Sequence, residues 1–212
     1  MTACQDKQPA GAAPVRRIHA PVNTPQEALA RIQYGNERFV DGTLTPFDPL
    51  RERACNAEGQ EPYACVLACA DSRTSPEFIF DENIGDLFVT RIAGNYVTPS
   101  TLATLEYGVS ILGSKLIVVL GHTGCGAVRA AIKAYRDDAD FPGHIQNIAT
   151  ALGPAIAAGE ETEQGTARAN VQFNVTLLQG SPPLISRLVK DGALKVVGGL
   201  YHLASGKVEW LD

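Results

Sequence analysis

The sequence predicts an α/β fold: a central, mainly parallel β-sheet flanked by helices, with an N-terminal helical arm and a C-terminal edge hairpin. Two observations carry this. Tyr63 to Cys69, Leu87 to Ile92 and Lys115 to Leu120 are apolar runs of strand length, the pattern of strands covered on both faces, as in parallel sheets. Stretches of helical periodicity lie between the second and third runs and after the third, so strands and helices alternate. Parallel neighbours then need right-handed crossovers, and ligands bind beyond the carboxyl ends of the strands.

Residues 1–22 are rich in Ala, Pro and Gln, with a basic pair at Arg16-Arg17, and read as a flexible arm ahead of one domain, 23–212. The first helix starts at Thr24-Pro25-Gln26-Glu27. Thr24 can cap, Pro25 suits the first helical position and Glu27 completes a capping box. Ala28, Leu29, Ile32 and Phe39 form its apolar stripe, which ends before Gly42. The first two apolar runs follow as strands. Ser100 to Leu112 is helical and stops at Gly113, and Lys115 to Leu120 is the third strand. Gly121 to Gly126 turns into a helix over about Ala127 to Tyr135. Further helices are expected over Ile145 to Ala158 and Thr166 to Leu178, and a short one after Ser181-Pro182-Pro183. Leu194 to Leu200 and Lys207 to Leu211, flanking Ala204-Ser205-Gly206, read as a last strand and its hairpin partner.

With 212 residues the chain can bury a full core, and 45% hydrophobic with 19% charged residues is the balance of an ordinary globular protein. The net charge of −5, without a block of like charge, argues against nucleic acid as a partner. The longest apolar runs are far shorter than the roughly 18 residues of a membrane span. Cys4, Cys55, Cys65, Cys69 and Cys125 are odd in number and not spaced as a disulfide framework, so reduced thiols and a cytoplasmic setting are expected. Thr2-Ala3-Cys4 resembles the end of a lipoprotein processing site without the basic and apolar parts of a signal. A periplasmic or lipid-anchored location applies only if such a signal preceded Cys4.

Chemistry concentrates in two clusters. Cys69-Ala70-Asp71-Ser72-Arg73 closes the first strand, and His122-Thr123-Gly124-Cys125-Gly126 follows the third, so both reach one edge of the sheet. Two thiols and an imidazole make three ligands, the number a catalytic zinc takes while its fourth position stays open; a structural zinc takes four. Soft thiolates with an imidazole select zinc over magnesium or calcium. His122 and Cys125 are separated by a turn containing Gly124, and Cys125 opens a helix, whose positive end favours a thiolate. Two thiolates neutralise Zn²⁺, so its water should be less acidic than at a site of three neutral histidines. Asp71, held ionised by Arg73, can assist by accepting a hydrogen bond from that water. The same carboxylate placed on the metal would close the site. A pH switch is therefore expected, with Asp71 on zinc in a resting form and on Arg73 in the active one.

These motifs, together with Gly85-Asp86-Leu87-Phe88-Val89, Arg91, Ala93-Gly94-Asn95 and Glu106-Tyr107-Gly108, closely resemble the β-class carbonic anhydrases from about Gln26 to the C-terminus. The resemblance implies reversible hydration of carbon dioxide by zinc-bound hydroxide. Cys69, His122 and Cys125 would hold one Zn²⁺ per chain, with Asp71 and Arg73 as the catalytic dyad. Gln60 matches a glutamine that hydrogen-bonds substrate in the plant-like branch. Phe88 and Tyr107 match aromatics of the carbon dioxide pocket, contributed across a dimer interface, and Gly126 the position whose N–H faces bicarbonate. Relatives are homodimers or dimers of dimers, in which the N-terminal arm and Arg91 would serve the dimer. One branch has a regulatory bicarbonate site of Trp, Arg and Tyr. Arg91 and Tyr201 match it, but Val66 stands at the Trp position, so no such site and an open form at neutral pH are expected.

Plainer roles compete. Cys55 and Cys65 are expected to be structural, and His19, His144 and His202 to be surface or locally bonded residues. Asp71 and Arg73 could be an ordinary ion pair, and Phe88 and Tyr107 ordinary packing. Rival functions are carbon disulfide or carbonyl sulfide hydrolysis on the same ligands, and a non-catalytic zinc-binding relative, which has no need of the Asp71–Arg73 pair. A redox-thiol protein would want a C-x-x-C pair, which the sequence lacks.

Overall fold

In the computed structural model, which describes residues 21–158 and 162–211, β1 (Ala64–Ala68), β2 (Leu87–Arg91), β3 (Leu116–His122) and β4 (Lys195–Tyr201) form a parallel sheet, and β5 (Val208–Leu211) adds an antiparallel edge. The order is β2-β1-β3-β4-β5. Every residue of β1 and β3 is buried, which is why they read as unbroken apolar runs. β2, on the edge, is mostly half-buried. The expected arm, apart from its last two residues, lies outside the described residues.

α1 (Pro25–Asp41) begins at the Thr24–Glu27 capping box and ends at Gly42 with φ 70°. α2 (Pro49–Cys55) and α3 (Pro76–Ile79) follow. Both escape the sequence reading because they are short and, in α2, no residue is buried, so neither has an apolar stripe. α4 (Pro99–Ser110) ends two residues earlier than expected, and Gly113, φ 78°, turns the chain toward β3. β3 in turn runs two residues past Leu120, because Gly121 and His122 pair with Leu200 and Tyr201. α5 (Gly126–Arg136) comes next. The single helix expected over 145–158 is two, α6 (Ile145–Ala151) and α7 (Gly153–Ala158). Pro154 lacks the N–H that would continue the ladder. α8 (Glu163–Gln179) and α9 (Ile185–Lys190) lead into β4. Among the described residues no helix is long and apolar enough to cross a membrane.

α1 and α3 pack on the sheet face bearing Val66, Ala68, Val118 and Leu120, and α4, α8 and α9 on the face bearing Leu67, Ile117 and Val119. α8 approaches closely because Val171 rests between Gly121 of β3 and Gly198 of β4. A Cβ on either glycine would stand 2.6 Å from a Val171 methyl. On the opposite face, Arg31 of α1 forks onto the buried Glu82 and reaches Asp86 at 3.0 Å, while the Tyr63 hydroxyl donates to Glu82 at 2.8 Å. Burial pushes the Glu82 carboxyl up to about 7, against the pull of Arg31. This network fastens α1 to the entries of β1 and β2. Among the described residues Cys65, Cys69 and Cys125 are free thiols. Cys55 departs from the expected reduced set, being disulfide-bonded.

Candidate metal centre

The β1–β3 register sets Ala68 beside Leu120, so Cys69, one residue beyond β1, and His122, ending β3, leave the sheet at the same edge. The turn carrying Cys69 is held through its backbone. Thr74 Oγ1 donates to the carbonyls of Cys69 (3.1 Å) and Asp71 (2.9 Å). Arg91 donates to the same two carbonyls, through Nε at 3.0 Å and Nη2 at 2.6 Å. Arg91, expected to serve a dimer contact, also shapes this turn within its own chain. On the other side, Gly124 (φ 66°) bends the chain back toward α5, with Cys125 at the N-cap. Leu203 N–H secures that bend by donating to Thr123 Oγ1 at 3.1 Å.

The Cys69 and Cys125 sulfurs lie 3.9 Å apart, and these two atoms and a ring nitrogen of His122 all fall within 4.8 Å of one another. Two sulfurs on one tetrahedral zinc, each about 2.3 Å from it, stand about 3.8 Å apart. His122 Nδ1 lies 2.9 Å from the Thr123 carbonyl. That bond assigns the ring proton to Nδ1 and leaves the Nε2 lone pair facing the sulfurs. Nε2 is buried and finds no hydrogen-bond partner among the described residues, an arrangement that costs about 1–3 kcal/mol unless a cation takes the lone pair. Hydrogen bonding from Cys125 pulls the Cys69 thiol down, with the Gly94 N–H (3.3 Å from Sγ) adding to it. Cys69 pushes Cys125 up, outweighing the pull expected from the start of α5, which is present in the amides of Ala127 and Val128. Donor types, burial and spacing all fit zinc.

Asp71 and Arg73 form a fork–fork pair beside this cluster: Nε to Oδ1 at 2.8 Å and Nη2 to Oδ2 at 2.7 Å, with the Arg73 backbone N–H also on Oδ1 at 3.0 Å. Arg73 thereby holds the Asp71 carboxyl well below the usual carboxylate range, against a smaller upward push from burial. Arg73 Nη2 also donates to the Gly124 carbonyl at 3.2 Å, tying the two clusters together, and Asp71 Oδ2 lies 3.9 Å from His122 Nε2. Gly126 is the first residue of α5 and exposed, so its N–H is one of the unpaired donors of a helix start.

Gln60, Phe88 and Tyr107 are not brought to this cluster. Phe88 pairs with Cys65, four residues or about 13 Å of strand before Cys69. Its ring centroid is 6.0 Å from that of the half-exposed Tyr107. Gln60 is exposed ahead of β1. All three sit at the far end of the sheet and cannot serve the site of their own chain.

A family model described as carbonic anhydrase matches residues 64–208. The chain belongs to the β-carbonic anhydrase family. Carbonic anhydrase 2 of Mycobacterium tuberculosis is 37% identical over 199 residues, covering 91% of this chain and 95% of the relative. The Mycolicibacterium smegmatis carbonic anhydrase is 37% identical over 197 residues, covering 89% and 94%. Among solved structures, the β-carbonic anhydrase CcaA superposes with a TM-score of 0.68 at 25% identity, covering 87% of each chain. The Coccomyxa β-carbonic anhydrase bound to acetazolamide gives 0.65 at 25% identity over 91% of this chain and 87% of its own. A tetrameric β-carbonic anhydrase of Sordaria macrospora gives 0.66 at 26% identity, covering 76% and 89%. The β-carbonic anhydrase fold and the enzyme class, a lyase, follow from these likenesses.

Proposed function

We propose that this carbonic anhydrase interconverts carbon dioxide and bicarbonate with one zinc held by Cys69, His122 and Cys125. The observation that carries the reading is the convergence of three buried soft donors, one of them the unpartnered His122 Nε2. Bound there, zinc supplies the Lewis acidity that makes hydroxide available from water near neutral pH. The chain's own residues do the rest. Asp71, kept ionised by Arg73, presents an acceptor that orients water at the site and takes part in moving its proton. With both Asp71 oxygens on Arg73, the arrangement supports the open form of the site. Arg73 keeps the two clusters aligned through Gly124, and the Gly126 N–H is free to donate to a bicarbonate oxygen.

Gln60, Phe88 and Tyr107, distant from their own cluster, serve the site of a neighbouring copy, so the working unit is a homodimer or a dimer of dimers. The tetrameric Sordaria macrospora relatives support this. Stopped-flow hydration of carbon dioxide at two pH values, before and after zinc chelation and after zinc is restored, tests the reading. Activity that disappears and returns with zinc is expected. Hydration insensitive to zinc at both pH values, or turnover of carbon disulfide in place of carbon dioxide, would overturn it.

A further inference from the structure

Two asparagines one turn apart on α8, Asn170 and Asn174, are 2% and 1% exposed. Asparagine disfavours helix interiors, and a buried amide needs partners. Here the partners lie on the loop that follows β2. Asn170 Nδ2 donates to the Gly94 carbonyl at 2.8 Å. The Val97 N–H donates to Asn174 Oδ1 at 2.7 Å. The two asparagines are locked to each other, Asn174 Nδ2 donating to Asn170 O at 2.8 Å and to Asn170 Oδ1 at 3.0 Å. The loop is therefore pinned at two points by one helix.

Gly94 has a second backbone group, and its N–H donates to Cys69 Sγ at 3.3 Å. Its surroundings are full, since a Cβ there would stand 3.2 Å from both Ala127 and Leu152. The position of that N–H is set from three sides, and Asn170 is the polar one. We propose that Asn170 is a positioning residue for the metal centre: by holding the Gly94 carbonyl it keeps the Gly94 N–H on the Cys69 sulfur. The inference rests on the zinc reading above. An N–H on a thiolate sulfur draws charge from it, which matters at a site whose two thiolates already neutralise the metal, and it fixes the sulfur in place.

Asn170→Leu, of similar size, and Asn170→Ala, the best helix former, both remove the donor. Leu178→Ala, which removes core contacts from the same helix away from the loop, serves as the control. The assays, on the full chain, are zinc release to a chromophoric chelator and the near-ultraviolet sulfur-to-metal band of cobalt-substituted protein. Both Asn170 variants should take up one zinc per chain yet release it about 10–100-fold faster. Their cobalt band should move to longer wavelength as the sulfur becomes richer in charge. Leu178→Ala should be less stable with parental release and spectrum. If Asn170→Leu does not fold, Asn170→Ala carries the test. Asn170 variants with parental release rate and spectrum would overturn the inference. A parent chain that takes up no zinc would instead overturn the zinc reading.

Discussion

Replacing Gly121 with alanine puts a methyl 2.6 Å from Val171 Cγ2 and 3.6 Å from Leu200 Cδ1. Carbon atoms in contact stand about 3.5–4.0 Å apart, so about 1 Å of overlap has to be absorbed. Val171 cannot turn away. It is fully buried, a β-branched residue in a helix keeps essentially one rotamer, and its other methyl already rests against Gly198. The strain must separate α8 from the sheet. Overpacking costs about 1–3 kcal/mol, and a site closed on both sides belongs at the upper end. About 3 kcal/mol in a chain of this length lowers Tm by roughly 6–12 °C. The same displacement moves Asn170 and His122, so hydration should fall as well. Val171→Ala alone removes two methyls, costing about 2 kcal/mol with the cavity included. In the double variant the new methyl enters the space vacated, so the combined cost should undercut the sum by at least ~1 kcal/mol. Thermal unfolding of the four proteins measures this cycle. Strict additivity, or a Gly121→Ala variant as stable as the parent, would refute the close approach of α8 as the device that seats His122.

Arg73→Lys keeps the charge but loses the fork onto Asp71 and the reach to Gly124. Hydration should fall about 10–100-fold with zinc content unchanged, and loss of zinc would contradict a role confined to the dyad. Burial raises Glu82 from 4.5 to about 7, so the fold prefers its protonated form. That contribution is complete below pH 4.5 and lost as pH rises through about 7. Glu82→Gln should flatten the dependence of Tm on pH across that window, and an unchanged slope would reject the assignment. With zinc chelated, iodoacetamide at pH 7 should alkylate Cys69, whose thiol is pulled down by its hydrogen bond with Cys125, before Cys65, which burial pushes up to about 12, and zinc should protect Cys69. Peptide mass mapping reads the order, and preferential labelling of Cys65 would be the contrary result.

The fold was legible wherever local chemistry and burial agreed. The Thr24–Glu27 box announced α1, and strands covered on both faces announced β1 and β3. The three donors Cys69, His122 and Cys125 were legible because each lies within two residues of a strand end or helix start. What escaped has a common physical origin in contacts between distant backbone atoms. Gly94 is 25 residues from Cys69 and 76 from Asn170, and is joined to both through its own N–H and C=O, which leave no mark on side-chain pattern. The part Arg91 plays in its own turn escaped for the same reason, its partners being carbonyls. The extension of β3 through Gly121 and His122 depends on pairing with β4, not on strand propensity. Gln60, Phe88 and Tyr107 lie away from Cys69, His122 and Cys125 in their own chain, as the resemblance implied for the two aromatics, whereas for Gln60 the motif match carried no such placement.

The strand order has one further consequence. From β1 the chain moves outward to β2, by way of α3 on one face, then crosses back over β1 to β3, by way of α4 on the other. Travel along the sheet reverses between β1 and β3, so the segments leaving their upper ends diverge to opposite faces and a crevice opens where they part. Cys69 stands on one lip, His122 and Cys125 on the other. Connectivity alone supplies the cleft, and the donors only had to be written at its rim. Side chains at 69, 122 and 125 would therefore converge there whatever their chemistry, which makes these positions a natural place to exchange one set of donors for another without disturbing the scaffold.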